Sequence, residues 1–209
     1  MIDNKVIVGV HIDDIIVSGE HDMCDEFFDQ LRQRFPLKNP GELKMYTGCV
    51  FERDWDNGIL DINQTAFAIS MVEQYNISTT SNIPGSPDRE PGGNEDIPKC
   101  RSLVGSLMWL SVMTQPDIAN ALRAYSRRNH NPSPRHWKAL LQVASYVNAT
   151  KDIGLRFVQG SGLRLSVYED ADYAAASNNR SSVSGVAVIL GDAAISWKSS
   201  TQKCVTTAT

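Results

Sequence analysis

An α+β fold follows from three features of the sequence. Two β-rich stretches, residues 5–18 and 44–62, each carry turn residues in their middle. Between 99 and 150 apolar residues recur at helical spacing instead. From Gly154 onward short β-prone runs return, separated by Gly- or Asn-containing turns.

Taken in order, residues 5–18 read as strand, turn, strand: VIVGVHI is β-prone, Asp13-Asp14 interrupts it and IIV resumes it. Met23, Phe27, Leu31 and Phe35 are spaced by four and predict a helix from about Asp22 to Phe35, which Pro36 ends. Residues 44–53 and 59–62 flank Asp56-Asn57-Gly58, and Asn-Gly suits the positive φ angles of a tight hairpin turn. Asn63 stands where it can cap a helix running through Tyr75, with Phe67, Met71, Val72 and Tyr75 on one face.

The segment 76–98 has four prolines, three glycines and little apolar content, so it is expected to be a mobile linker or long loop. Three helices are expected after it. The first, about 99–113, is strongly apolar through Leu103, Val104, Leu107, Met108 and Leu110; the second starts at Pro116; the third starts at Pro134 with Ser133 as its cap. Ile118, Leu122 and Tyr125 mark one inward face, and Trp137, Leu140, Leu141, Ala144 and Val147 another, stripes that read as core. GLRFV, LRLSVYEDADYA, SSVSGVAVILG and AAISWKSSTQ then read as a run of antiparallel strands. Residues 163–198 are expected to form a three-stranded sheet with one face poorly covered. The sequence stops at Thr209 without a helix for that face, and the chain is expected to be cut there.

Composition narrows the function classes. At 209 residues, 42% hydrophobic and 21% charged, the chain is too apolar for a disordered protein. No apolar run approaches the ~18 residues of a membrane span, and MIDNK lacks the basic start of a signal peptide, so membrane and secretory readings are set aside. Four cysteines (Cys24, Cys49, Cys100, Cys204) form no CxxC pair, and nothing near His21 and Cys24 supplies the other half of a zinc site. Charge is unevenly spread: residues 1–60 hold 12 acidic and 6 basic side chains, while 118–151 hold six basic ones and no acidic one. Arg123, Arg127, Arg128, Arg135 and Lys138 are therefore expected to present a largely exposed basic surface for a polyanion, with a solvated helical face as the alternative.

Two clusters of carboxylates stand out. Asp13 and Asp14 sit at a turn between β-prone runs, where two like charges repel unless cations neutralise them. Mg²⁺ suits that role: it is a hard ion that binds few carboxylates and keeps positions for phosphate oxygens. Aspartate is also a common turn residue, and that reading stays open. In Glu169-Asp170-Ala171-Asp172, strand alternation points Asp170 and Asp172 to one side, as a metal pair or as an exposed strand end.

Beyond these patterns, VHIDDIIVSGE resembles the YVDD hairpin of copia-type retrotransposon reverse transcriptases. PGELKMYTGCVFERDWDNGILDINQTAFAISMVEQYNI is similar to the family's primer-grip hairpin and first thumb helix. CRSLVGSLMWL, TQPDIANAL and NPSPRHWKALLQVASYVNATKDIGL resemble its connection region, and VYEDADYA with RSSVSGVAVILGDAAISWKSSTQ resembles the first strands of its ribonuclease H domain. The resemblance runs along nearly the whole chain in the family's order.

What it implies is a partial reverse-transcriptase palm and thumb over 1–75, a linker over 76–98, a helical connection region over 99–152, and an incomplete ribonuclease H-like antiparallel sheet over 153–209. By resemblance Asp13 and Asp14 are the polymerase aspartates, and Met45, Tyr46, Thr47 and Gly48 form the primer-grip turn. Asp170 is the first ribonuclease H aspartate, with Asp172 a neighbouring candidate metal ligand. The implied cofactor is Mg²⁺ or Mn²⁺. The implied partners are an RNA or DNA template-primer, an RNA–DNA hybrid, dNTPs and the remainder of the polyprotein, in a cytoplasmic setting and without a membrane. His11 departs from the family, which usually has Tyr at this position of the YVDD hairpin. Further carboxylates of both sites are expected outside the sequence, so the isolated chain is expected to be inactive. The alternatives are a decayed, non-catalytic remnant that at most binds nucleic acid, and an acidic metal-binding or protein-interaction domain unrelated to nucleic acid.

Overall fold

A computed structural model of the chain describes residues 6–38, 41–85, 97–127, 129–172 and 182–202. The chain divides into two compact units, Met1–Thr47 and Gly48–Thr209.

In the first unit β1 (Val6–His11) and β2 (Asp14–Gly19) pair antiparallel, from Val6 opposite Gly19 to His11 opposite Asp14. The turn is Ile12-Asp13, with Ile12 at φ 57°, a left-handed conformation that β-branched residues rarely adopt. Helix α1 (His21–Arg32) packs against β2. It is shorter than the stripe to Phe35 predicts. The amides of Arg34 and Phe35 both bond Leu31 O, closing the last turn, and the residue before Pro36 is steered away from helical angles. Phe35 is left 57% exposed. A two-residue strand, β3 (Met45–Tyr46), follows. None of the described residues of this unit is fully buried.

The second unit opens with the hairpin β4 (Cys49–Asp54) and β5 (Ile59–Asn63), paired from Val50 opposite Asn63 to Asp54 opposite Ile59. Gly58 takes φ 63° in the turn, as the Asn-Gly signal predicts. Asp54 accepts bonds from the Asn57 amide (3.0 Å) and side chain (2.7 Å), which hold its carboxyl below the usual range. Helix α2 is Thr65–Gln74, and Gln64 rather than Asn63 stands at its N-cap. Asn63 is one residue too early: it ends β5, and its side chain accepts the Thr65 amide at 3.2 Å while donating to Glu52 at 2.9 Å. At the other end Asn76 turns left-handed (φ 53°), its amide meeting Glu73 O and that of Ile77 meeting Val72 O, which satisfies the last carbonyls of α2.

Part of the expected linker is ordered by α5 (Pro134–Thr150). Thr79 Oγ1 lies 2.7 Å from Ser145 Oγ, the Ser81 amide donates to Ser145 O at 3.1 Å, and Asn148 Nδ2 donates to Thr79 O at 3.1 Å. Residues 86–96 of the expected linker lie outside the described residues, and 97–98 already belong to α3 (Ile97–Met113). A 3-10 turn (Pro116–Ile118) leads into α4 (Ala119–Ser126). Helix α5 begins as the capping residues predict, with Ser133 Oγ accepting the His136 amide at 3.1 Å. Leu103, Leu107, Leu110, Ile118, Leu122, Leu140, Val143 and Val147 are all fully buried where α2 to α5 meet.

Strand β6 (Leu155–Val158) departs from the expected C-terminal run. It pairs antiparallel with β5, Ile59 opposite Val158 and Ile62 opposite Leu155, and so completes the hairpin's sheet. Gly154 allows this entry, since a Cβ there would stand 2.3 Å from Ile62 O. The last sheet is β7 (Leu165–Asp172), β8 (Val183–Leu190) and β9 (Ala193–Thr201), antiparallel and in that order. One face leans on the helices: Trp197 Nε1 donates to Ser111 O at 2.7 Å and Ser199 Oγ to Asn120 Oδ1 at 3.2 Å. Leu165 and Val167, on the other face, are 59% and 60% exposed. Among the described residues no helix is long and apolar enough to cross a membrane.

Candidate functional site

Local chain geometry sets each carboxylate. Asp13 lies in the β1–β2 turn and Asp14 opens β2, both exposed. Side by side at a hairpin tip they offer hard oxygen donors, the chemistry that suits Mg²⁺ or Mn²⁺. Two carboxylates are a partial ligand set. Among the described residues no group of three or more His, Cys, Asp or Glu converges on a metal position. His11, opposite Asp14, meets Tyr46 edge-on, with ring centres 6.2 Å apart at 74°. The hairpin and the Met45-Tyr46 strand are thus brought together within the first unit.

Thr47 and Gly48 follow with consecutive left-handed angles, φ 47° and 76°, so the chain turns sharply after Tyr46. Beside Gly48 a Cβ would rest 3.4 Å from the Trp109 ring, ordinary contact distance, so the backbone angle is what favours glycine there.

Asp170 pairs with Gly185 and Asp172 with Val183 across β7–β8. Both acids share the sheet face of Tyr168, whose row continues through Ala187 to Trp197, so they face the helices. A cleft of about 570 Å³ opens there, lined by Asp117, Asn120, Tyr168, Asp170, Asp172 and Ser199 among others. Asp170 Oδ1 accepts the Ala171 amide at 2.9 Å. Asp117 is engaged by the Tyr146 hydroxyl, and that hydrogen bond, ahead of burial, pushes the phenol up to about 12.

The basic residues divide. Arg127, Arg135 and Lys138 are exposed, whereas Arg123 is half-buried in the seam between α4 and β9. Its guanidinium donates to Asn120 Oδ1 at 3.2 Å and to Thr201 Oγ1 at 3.0 Å. Burial first, then the charge of Arg127, lowers its pKa, with Asp172 acting the other way. The expected open surface therefore loses Arg123 to packing, and Arg128 lies outside the described residues.

The structure also adds two cations that the 118–151 window passes over. Lys99 Nζ lies 4.8 Å from the centre of the Trp137 ring, and Arg101 Nε donates to Asn129 O at 3.3 Å. A wider window would have found them: residues 97–151 carry eight Lys and Arg and a single acid, Asp117.

Sequence comparison places these features in a family context. The family described as reverse transcriptase (RNA-dependent DNA polymerase) matches residues 1–86. The Retrovirus-related Pol polyprotein from transposon RE2 of Arabidopsis thaliana is 31% identical over 94% of this chain and 14% of its own length. That from transposon TNT 1-94 of Nicotiana tabacum is 29% identical over 99% of this chain and 16% of its own length. The chain thus spans about a seventh of the Pol polyproteins it matches. Secreted RxLR effector protein 161 of Plasmopara viticola is 38% identical over 50% of this chain and 73% of its own length. No solved structure matches the chain.

Proposed function

The chain belongs to the reverse transcriptase family of copia-type retrotransposon Pol polyproteins, and from that premise we propose that it works as a segment of an RNA-directed DNA polymerase with ribonuclease H. Residues 1–75 supply the Asp-Asp part of a palm, the primer-grip-like hairpin and a thumb helix; 99–152 supply the connection; β7 to β9 supply the first strands of the ribonuclease H-like domain, while β6 closes the hairpin's own sheet. The observation that carries this reading is the placement of Asp13 and Asp14 at the β1–β2 turn, inside the segment that matches the family.

In the proposed mechanism Asp13 and Asp14 would hold a divalent ion at the hairpin tip, which would supply charge neutralisation for phosphate oxygens in nucleotidyl transfer from a dNTP. The turn at Met45 to Gly48 positions the primer end, with Tyr46 steadied by its edge-on contact with His11. Asp170 and Asp172 contribute the β7 share of the acids that cleave the RNA of an RNA–DNA hybrid. Each site takes its other carboxylates from the rest of the polyprotein, so the 209-residue chain alone is expected to extend no primer and cleave no hybrid.

The test is a chimera in which this chain replaces the matching segment of a related Pol polyprotein. Primer extension on poly(rA) with Mg²⁺ is expected, and should vanish with Asp13→Asn or Asp14→Asn. A folded chimera that stays inactive while its parent extends primers would overturn the reading in favour of a decayed remnant. Rescue of that chimera by His11→Tyr would place the decay at the hairpin.

A further inference from the structure

The seam where α3 and α4 meet β9 opens a cavity of about 510 Å³ that the polymerase reading does not use. Helix α3 contributes Met108, Ser111 and Val112, three and four residues apart and so on one side of the helix. Arg123 comes from α4, and Ile195 and Trp197 from β9. Met108, Val112 and Ile195 are apolar side chains left exposed here. The Trp197 ring is fixed, since its Nε1 donates to Ser111 O at 2.7 Å. The Arg123 guanidinium is fixed as well, by Nε on Asn120 Oδ1 at 3.2 Å and Nη1 on Thr201 Oγ1 at 3.0 Å. Among the described residues, Nη2 makes no bond. No Asp or Glu lines the cavity. Asp117, Glu169, Asp170 and Asp172 line the adjoining cleft instead, and the influence of Asp172 on Arg123 is smaller than that of Arg127.

We propose that this cavity binds a small aromatic carboxylate, its flat body between Met108, Val112 and Trp197 and its anionic head on Arg123. Mostly apolar walls with a few placed polar groups are the general make-up of small-molecule sites, and the volume lies within their range of roughly 300–1,000 Å³. Charge complementarity selects the head. A guanidinium is always charged, and its planar fork matches a carboxylate. The walls select the body: an indole and a thioether both make favourable contacts with an aromatic ring. A bare inorganic anion would meet Arg123 but gain nothing from Met108, Val112 and Trp197. The inference stands on the seam between α3, α4 and β9 and does not rest on the polymerase reading.

The experiment titrates the 209-residue chain with two fluorescent probes, anilinonaphthalenesulfonate and phenylnaphthylamine, the second having the same rings without the anion. Saturable binding of the sulfonate is expected, displaced by naphthoate and not by inorganic phosphate at the same concentration. Arg123→Gln should weaken the sulfonate by about tenfold or more and the neutral probe by less than about twofold, since a hydrogen bond to a charged group is lost only for the first. Val112→Glu, which adds a carboxylate to the exposed part of the wall, should weaken the sulfonate to a similar degree. It carries the test if Arg123→Gln gives no cooperative melt of the helical signal. Arg127→Gln with Lys138→Gln, outside the cavity, and Val167→Ser, on the open sheet face, should leave the affinity unchanged. Sulfonate binding that survives intact in folded Arg123→Gln or in Val112→Glu overturns the proposal. So does tighter binding of the neutral probe, failure of naphthoate to displace, displacement by phosphate, or an equal loss in the Arg127/Lys138 or Val167 variants. A dimer that Val112→Glu dissociates would put a second copy of the chain in the cavity and overturn it too.

Discussion

Residues 6–47 display the Asp13-Asp14 turn on a hairpin and helix with no fully buried side chain among those described, whereas Gly48–Thr209 closes α2 to α5 around Leu103, Leu107 and Leu140. Ile7 is 72% and Val10 67% exposed on β1. Leu107 and Val143 are wholly removed from solvent. Burial of apolar surface is the main favourable term in folding. The difference teaches that the carboxylates with the strongest family signal stand on the part of the molecule with the least internal packing. Its backbone amides are therefore expected to exchange with solvent sooner than those of the bundle.

The sharpest way to break this contrast is to cut into each region. Leu107→Ala removes a side chain from the closed core and is expected to cost about 2–5 kcal/mol. Val10→Thr, on the open hairpin, is expected to stay within about 0.5 kcal/mol. Chemical denaturation followed through the helical signal measures both, and equal costs would erase the distinction.

Glycine substitutions sharpen it next. At Gly154 a new Cβ would stand 2.3 Å from Ile62 O, a backbone atom that moves only with β5. Gly154→Ala is expected to cost on the order of 1–3 kcal/mol. At Gly9 the nearest atom is Ile16 Cγ1 at 2.9 Å, part of a side chain in the loosely packed unit. Gly9→Ala is expected to cost less, and a midpoint shift as large as that of Gly154→Ala would show β1–β2 to be tightly constrained after all.

Ser133→Ala removes the acceptor for the His136 amide and should cost about 1 kcal/mol in the same melts. The smallest effect is confined to high pH. The Tyr146 phenol, raised to about 12 by its bond to Asp117, stands above its unfolded value. Its stabilising contribution is complete below about pH 10 and disappears as pH rises from there towards 12. A phenolate absorbance titration should show a late step near pH 12 whose amplitude falls by one tyrosine in Tyr146→Phe. A late amplitude unchanged by the substitution would assign the step elsewhere.

Local features were legible from the sequence alone. Ser133-Pro134 starts α5 and Asn57-Gly58 turns β4 into β5, because capping and left-handed turn angles depend on neighbours in the chain. The stripe of Leu140, Ala144 and Val147 identifies core because helical spacing alone brings those residues onto one face. Features that depend on distant partners were not. Alternation marks LRFV as a strand without saying that β5 is its neighbour. A charge window cannot tell that Arg123 turns into a seam while Lys99 and Arg101 arrive from another helix. Asn63 falls one residue before the cap position because a strand end and a helix cap favour the same small polar side chain.

The pairing of β5 with β6 also has a consequence for the order of folding. Asp61 and Arg156 face each other with two bonds of 2.8 Å although 95 residues separate them, and the helical bundle lies between them in the chain. Closing a flexible loop of that length costs roughly 4 kcal/mol of chain entropy. Once α2 to α5 have assembled, the two ends are already held close and that cost falls away, so the clasp is expected to close after the bundle. Asp61→Ala should then accelerate unfolding and leave the folding rate unchanged, a split that the two arms of a chevron separate directly. A slowed folding arm would instead put this long-range strand pair in the nucleus, with the helices condensing around it.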